Sequence, residues 1–205
     1  MKKNDLLDQF KEIVEQFPSN LAVSDDQRAI SYSELNQNSN QIAYRLRACG
    51  ACKGSRVGVL GKRSSWFIEG FMGILKLGAV YVPLDPNYPL DRLKYMISLS
   101  KIEFILAYDD AEPIINALKN HGISVKALLL NFNAGQTVHS DVFVHPPFFD
   151  KPCEDLSVKV EDDDTAVILF TSGSTGEPKG VELAYSGYIN NFSNIQWRCC
   201  VNSCG

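Results

Sequence analysis

Residues 166–183 read AVILFTSGSTGEPKGVEL. An apolar run passes directly into a segment built from Gly, Ser, Thr, Pro and Lys. Gly173, Gly176 and Gly180 carry no Cβ, so backbone N–H groups there can approach an anion closely. Thr171, Ser172, Ser174 and Thr175 add hydroxyl donors, and Lys179 adds a point charge suited to phosphate oxygens. These residue types fit a phosphate grip. A flexible surface linker is the competing reading, since Gly/Ser-rich segments commonly serve as one.

The spacing argues against two known phosphate loops. A Walker A loop needs G-x-x-x-x-G-K-[ST] running into a helix. Here Pro178 precedes Lys179, Gly180 follows it, and the VEL beyond reads as extended. Pro178 also removes a backbone donor where such a loop would use one. A G-x-G-x-x-G dinucleotide fingerprint is absent from the sequence.

Such a loop needs a scaffold. The N-terminal stretch predicts an amphipathic helix with Leu6, Leu7, Phe10, Ile13, Val14 and Phe17 on one side. In SYSEL, Ser31 and Glu34 make a capping-box pair, and helical spacing of Leu35, Ile42, Ala43 and Leu46 runs to a stop at Gly50. RVGVLG (56–61) predicts a strand and SSWFIEGFMGILKLG a helix. YVPLD (81–85) predicts a second strand, which Pro83 assigns to an edge or an early exit. Pro89 opens a helix through LDRLKYMISL. IEFILAY (102–108), a helix at 111–120, VKALLLN (125–131) and TAVILF (165–170) follow.

Strands that alternate with helices, and are apolar without strict alternation, predict an α/β fold: a mainly parallel sheet with helices on both faces. Ligands of such sheets gather beyond the carboxyl ends of the strands, where 171–180 lies. Between 132 and 164 the pattern dissolves into an irregular excursion, expected to hold short strands that the sequence does not place. Its acidic end, Glu161 to Asp164, reads as a solvated turn rather than a magnesium site.

Bulk properties exclude other classes. With 205 residues, 45% hydrophobic and 21% charged, the chain reads as an ordinary soluble globular protein with a sizeable core. A net charge of −4 offers no footprint for nucleic acid or an anionic membrane surface. No apolar run approaches the length of a membrane span, and the acidic N-terminal helix is no signal peptide, so the expected compartment is the cytoplasm. The 6 cysteines, including Cys49 and Cys52 in C-x-x-C and Cys199, Cys200 and Cys204 near the end, match no common zinc module and read as free thiols.

LFTSGSTGEPKGV resembles the phosphate-loop signature of the adenylate-forming enzymes: acyl-CoA synthetases, luciferases and adenylation domains of nonribosomal peptide synthetases. ISYSELNQNSNQIAYRL and LKLGAVYVPLDPNYPLDRLKYMI resemble two early blocks of the nonribosomal adenylation domains, and the three stand in the family's order. The resemblance implies the N-terminal portion of the family's large domain. It implies that the carboxylate of an amino or other carboxylic acid attacks the α-phosphate of ATP, giving an acyl-adenylate and pyrophosphate. The acyl group then passes to a phosphopantetheine thiol on a carrier protein domain. Carried over by position, Thr171, Ser172, Gly173, Ser174, Thr175, Gly176 and Lys179 would hold the β- and γ-phosphates, with Mg2+ bridging phosphate oxygens. No catalytic residue or metal ligand is assigned within this chain. Tyr32 and Leu35 are expected to pack a helix start, Tyr81, Pro83 and Asp85 to shape a strand exit, and Arg92 and Lys94 to lie on a solvated helix face.

Two departures stand out. The family usually places a His four residues past the Val of KGV, often followed by Arg; here those residues are Tyr185 and Ser186. A tyrosine can pack and donate one hydrogen bond, but it carries no positive charge. The sequence also ends at Gly205, ahead of the family's adenine, ribose and amino-acid motifs, and the closing RCCVNSCG (198–205) lacks helical periodicity. Residues 1–205 therefore read as a partial adenylation domain with a disordered or aberrant tail, from a truncated or frame-shifted frame or a fragment. No adenylation by this piece alone is expected. A non-catalytic remnant that pairs with a separate chain, and a fragment of an acyl-CoA synthetase-type ligase, are the alternative readings.

Overall fold

The structure, a computed structural model, describes residues 6–62, 64–108, 111–130, 154–156, 158–172 and 178–187. Their elements are α1 (Leu6–Gln16), β1 (Leu21–Ser24), β2 (Ala29–Ser31), α2 (Tyr32–Ala48), β3 (Arg56–Leu60), α3 (Ser65–Lys76) and β4 (Val80–Leu84). After these come α4 (Leu90–Ser100), β5 (Phe104–Ala107), α5 (Glu112–Asn120), β6 (Lys126–Leu129), β7 (Thr165–Ser172) and β8 (Pro178–Ala184).

Six strands form one sheet in the order β6-β5-β3-β4-β7-β8, and β1 and β2 form a separate antiparallel hairpin. β3 to β7 run parallel, and β8 folds back antiparallel on β7. Alternate side chains enter two cores. Val57, Val59, Tyr81, Phe104 and Leu106 pack under α1, α2 and α3, while Leu60, Val82, Leu84, Ile105 and Ile168 pack under α4 and α5. Helices therefore cover both faces of a mainly parallel sheet, as the apolar runs imply.

Helix limits follow local chemistry. Ser31 accepts the backbone N–H of Glu34, whose carboxylate takes the Ser31 N–H at 2.7 Å, completing the capping box that starts α2. Gly50, at φ 98°, turns the chain after α2 in the left-handed region that disfavours any side chain. Tyr32 packs its ring 6.3 Å from that of Phe10, and Leu35 is buried, as a helix-start role requires. Within α3, a Cβ at Gly73 would lie 2.8 Å from the Ser39 carbonyl oxygen and 2.8 Å from Ile42 Cγ2, so the α2–α3 contact requires glycine there. Lys76, buried in the same seam, donates to Asn36, to Asn40 at 2.6 Å and to Asp155 at 2.6 Å. Burial pushes its pKa down, and the Asp155 carboxylate opposes that shift.

Several expectations need correction. Phe17 lies beyond α1 and is exposed, because the helix ends before its side chain can join the apolar stripe. β4 is interior, so Pro83 does not mark an edge; it sits one residue from the strand's end, and β4 makes its registered pair with β7 at Tyr81↔Val167. Arg92 and Lys94 are both half-buried rather than fully solvated: the Arg92 guanidinium lies 4.0 Å from the Tyr88 ring centre, and Lys94 pairs with exposed Asp91. The described part of the excursion, 154–156 and 158–164, holds no strand; the rest of it and the 198–205 tail lie outside the described residues. Glu161 to Asp164 form the turn before β7.

The α2–α3 contact yields a stability test. Gly73→Ala forces a methyl group against backbone and is expected to cost about 1–3 kcal/mol despite its better helix propensity, read as a lowered urea midpoint at unchanged slope.

Candidate functional site

Among the described places on the carboxyl side of the sheet that could receive an anion are the start of α3 after β3 and the hairpin joining β7 to β8. A helix start offers backbone N–H groups and the positive end of its dipole. At α3 this capacity is met by the protein itself. The Ser65 N–H donates to Asp25 Oδ2 at 2.7 Å, and Asp25 Oδ1 accepts the N–H groups of Gln27 and Arg28 at 2.9 Å each. These bonds, the Ser65 N–H foremost, hold the Asp25 carboxyl well below the usual carboxylate range.

The same β1–β2 turn delivers Arg28. Its Nε donates to Ser65 Oγ at 2.6 Å, and its guanidinium lies 3.5 Å from the Trp66 ring centre. Its Nη2 forms an ion pair at 2.8 Å with Glu69 Oε2, without the alignment of a directed hydrogen bond. Glu69 is fully buried and also accepts from Asn38 Nδ2 at 2.7 Å. Nearby, the Tyr108 hydroxyl donates to the Trp66 carbonyl, and burial raises its pKa well above 10. The cluster locks the small hairpin to α3.

A carboxyl with a depressed folded pKa contributes stability that is complete above its unfolded pKa of about 3.9 and fades as pH falls further. Asp25→Ala is accordingly expected to destabilise the fold at pH 7. The gap from wild type should narrow between pH 4 and pH 2, as read by urea unfolding across that range.

At the second place, β7 and β8 pair in the register Thr171↔Lys179 and Ser172↔Pro178. Directly opposed residues share a face of the sheet, so Thr171 and Lys179 are neighbours at the open end of the hairpin, both exposed. Gly173, Ser174, Thr175 and Gly176 lie outside the described residues. The segment after Lys179 is a strand, which separates this loop from a Walker A loop running into a helix.

A hydroxyl and an ammonium donate to phosphate oxygens; neither is a ligand set for Mg2+. Among the described residues no group of three His, Cys, Asp or Glu could hold a metal ion. Cys49 and Cys52 are free thiols, and burial raises the pKa of Cys49, leaving it a packing residue.

Sequence reasoning missed a cavity of about 360 Å³ beyond the ends of β3, β4 and β7, lined by Lys62, Phe67, Asp85, Tyr88, Leu169 and Phe170 among others. Its one sequence signal was Pro83, which brings no N–H to the ladder just before β4 ends. Tyr185, at the position where a His was expected, turns inward: it is 3% exposed and donates its hydroxyl to the Leu75 carbonyl oxygen at 3.2 Å.

With this geometry in hand, the likeness to known proteins is specific. Over 187 residues the chain is 33% identical to the polyketide synthase PksN of Bacillus subtilis (strain 168), covering 91% of this chain and 3% of that protein. It is 36% identical over 189 residues to syringomycin synthase SyrB1 of Pseudomonas syringae pv. syringae, covering 91% of this chain and 28% of that protein. The solved structure of the anthranilate CoA ligase AuaEII in complex with anthranoyl-AMP matches with a TM-score of 0.75 at 19% identity, over 88% of this chain and 35% of that one. The chain thus spans a minor part of each, and the last comparison bears on fold alone. A match to the AMP-binding enzyme family over residues 10–204 takes in every strand described and the glycine-rich hairpin: the chain belongs to the AMP-binding, adenylate-forming enzymes.

Proposed function

We propose that this chain is the phosphate-gripping part of an ATP-dependent ligase that activates an amino acid as its adenylate in nonribosomal peptide synthesis. The carrying observation is the pairing of Thr171 with Lys179 at the open end of a hairpin that continues a parallel strand. Displacement at phosphorus needs positioning and neutralised charge more than covalent help from the protein. Lys179 brings a cation, Thr171 a hydroxyl, and Ser172, Gly173, Ser174, Thr175 and Gly176 the remaining hydroxyl and N–H donors. Mg2+ arriving with ATP, rather than on ligands of the described residues, would supply further neutralisation of the phosphate charge. The two early blocks favour an amino acid over a fatty acid, and the sequence likeness to syringomycin synthase SyrB1 supports that reading. The acyl acceptor is a phosphopantetheine thiol on a carrier protein domain.

We read residues 1–205 as one partial domain. No helix among the described residues is long and apolar enough to cross a membrane; the cytoplasmic compartment is our reading of the sequence. Mg·ATP titrated into the full chain is expected to shift the resonances of Thr171 and Lys179. Lys179→Ala should weaken binding by about ten- to hundred-fold, the worth of one charge-assisted hydrogen bond. An unchanged affinity would refute the assignment.

A second reading has its own observation. Leu169 and Val181, paired across β7 and β8, are 38% and 44% exposed, and among the described strands β8 is at the edge of the sheet. An apolar cross-strand pair beside an unpaired edge favours packing against further polypeptide. In that reading the chain is a non-catalytic partner of a separate chain that completes the fold. Purification of the native protein is the test: a stable stoichiometric partner supports it, and a well-behaved lone monomer rejects it.

A further inference from the structure

The geometry points to Tyr185 as a positioning residue that sets the register of the β7–β8 hairpin, and with it the face on which Lys179 stands. The phosphate consequence of that statement rests on the function proposed above; the register itself does not.

The two strands do not pair in one register throughout. From Val167↔Leu183 to Ser172↔Pro178 the pairing is regular, but at the base Thr165 faces Ala184, with an irregularity between Thr165 and Val167. β7 therefore spends an extra residue, Ala166, against β8, which is a β-bulge. Were the base register continued upward without that bulge, Lys179 would stand opposite Phe170 instead of Thr171. Because side chains alternate between faces, a slip of one residue carries the ammonium to the other side of the sheet.

Little at the open end could resist such a slip. Lys179, Gly180, Val181 and Glu182 are exposed. Glu182 pairs with Arg56 at 2.9 Å and accepts from Thr165 Oγ1 at 3.2 Å, but ion pairs this exposed contribute little. The base is different. Ala166 and Tyr185 are both buried in the core beneath α1 to α3. The Tyr185 N–H donates to the Asp164 carbonyl at 3.0 Å, and the Ser186 N–H donates to that of Asp162 at 3.1 Å. The Tyr185 hydroxyl reaches Leu75 in the last turn of α3. The turn it grips is fixed in its own right: Asp164 accepts the Glu161 N–H at 2.6 Å and pairs with Lys53 at 2.6 Å. Sliding β8 would draw a buried ring out of the core and break its bond to another helix.

The test is nuclear magnetic resonance on the full chain, with inorganic triphosphate as the ligand probe. Wild type and Tyr185→Phe are expected to show one set of cross-strand contacts, Thr171 to Lys179, and triphosphate affinities within about threefold. Tyr185→Leu keeps apolar volume but neither ring nor hydroxyl. It is expected to show a second set, Phe170 to Lys179, and about tenfold weaker triphosphate binding or worse. A residue that merely stabilised the fold would lower the unfolding midpoint without creating that second set. A folded Tyr185→Leu protein with the single Thr171–Lys179 set and unchanged affinity overturns the inference. Should Tyr185→Leu not fold, insertion of one alanine after Ala166 makes the same decision: a base held by Tyr185 then brings Phe170 opposite Lys179, and retention of the Thr171–Lys179 contact overturns the inference. If wild type shows the Thr171–Lys179 register yet binds no triphosphate, the proposed function falls while the register claim is judged on the contacts alone.

Discussion

A strand buried on both faces has no freedom to slide, because a shift of one residue would exchange the contents of two cores. That constraint organises this molecule. β3 lies between β4 and β5 with Leu60 level with Leu84 on one side and Ala107 on the other, so the chain leaves these strands at a common height. Alternation carries Val57 and Val59 to the α2–α3 side and Leu60 to the α4–α5 side. β7 obeys the rule at Val167 and Ile168 and then escapes it, for Leu169 and Thr171 are exposed. A glycine-rich segment can follow this strand because the strand's lower half is buried on both faces, whereas its upper half, paired with β8, reaches the surface.

The sequence makes the long elements readable because their signals are local and repeated. The Ser31–Glu34 box and Gly50 bracket α2 by hydrogen-bond chemistry and backbone conformation alone. The apolar runs of β3, β4, β5 and β7 declare burial on two faces without indicating which strands adjoin. Pro83 marked the early exit of β4 and left an edge position open, because that choice depends on a neighbour, β7, that arrives some 80 residues later. β1 and β2 escaped notice because four and three residues, with Leu21 exposed, do not establish a period of two. The site divides in the same way. Residue types in 171–179 announce a grip for an anion, whereas the cavity beside it and the bulge at Ala166 arise from strand geometry that no short stretch of sequence encodes.

The small β1–β2 hairpin shows why that omission mattered. Its turn places a carboxylate on the start of α3 and an arginine against Glu69, 41 residues further along the chain. A helix start behind the central strand of a parallel sheet would otherwise rank as the first place to look for a phosphate. With Asp25 bonded there, an incoming anion would meet like charge. Lys76 is similarly engaged by Asp155, Asn36 and Asn40 within the α2–α3 seam. Internal pairing of charge therefore strengthens the case that the hairpin after β7 is the phosphate site.

Tyr185 then acquires its significance from electrostatics as well as packing. At a position where the family resemblance leads one to expect an imidazole, this chain buries a neutral phenol against α3. A buried ring with its hydroxyl bonded to a carbonyl brings no positive charge toward the open end, so the cation of the hairpin is Lys179. A lysine grips phosphate as a point charge on a flexible stem, without the planar fork by which an arginine enforces its own geometry. Direction must come instead from the backbone that carries it. A strand at the sheet's edge among the described strands, with an exposed upper half, supplies little direction of its own, which places the burden on the buried base of the hairpin, where Ala166 and Tyr185 enter the core.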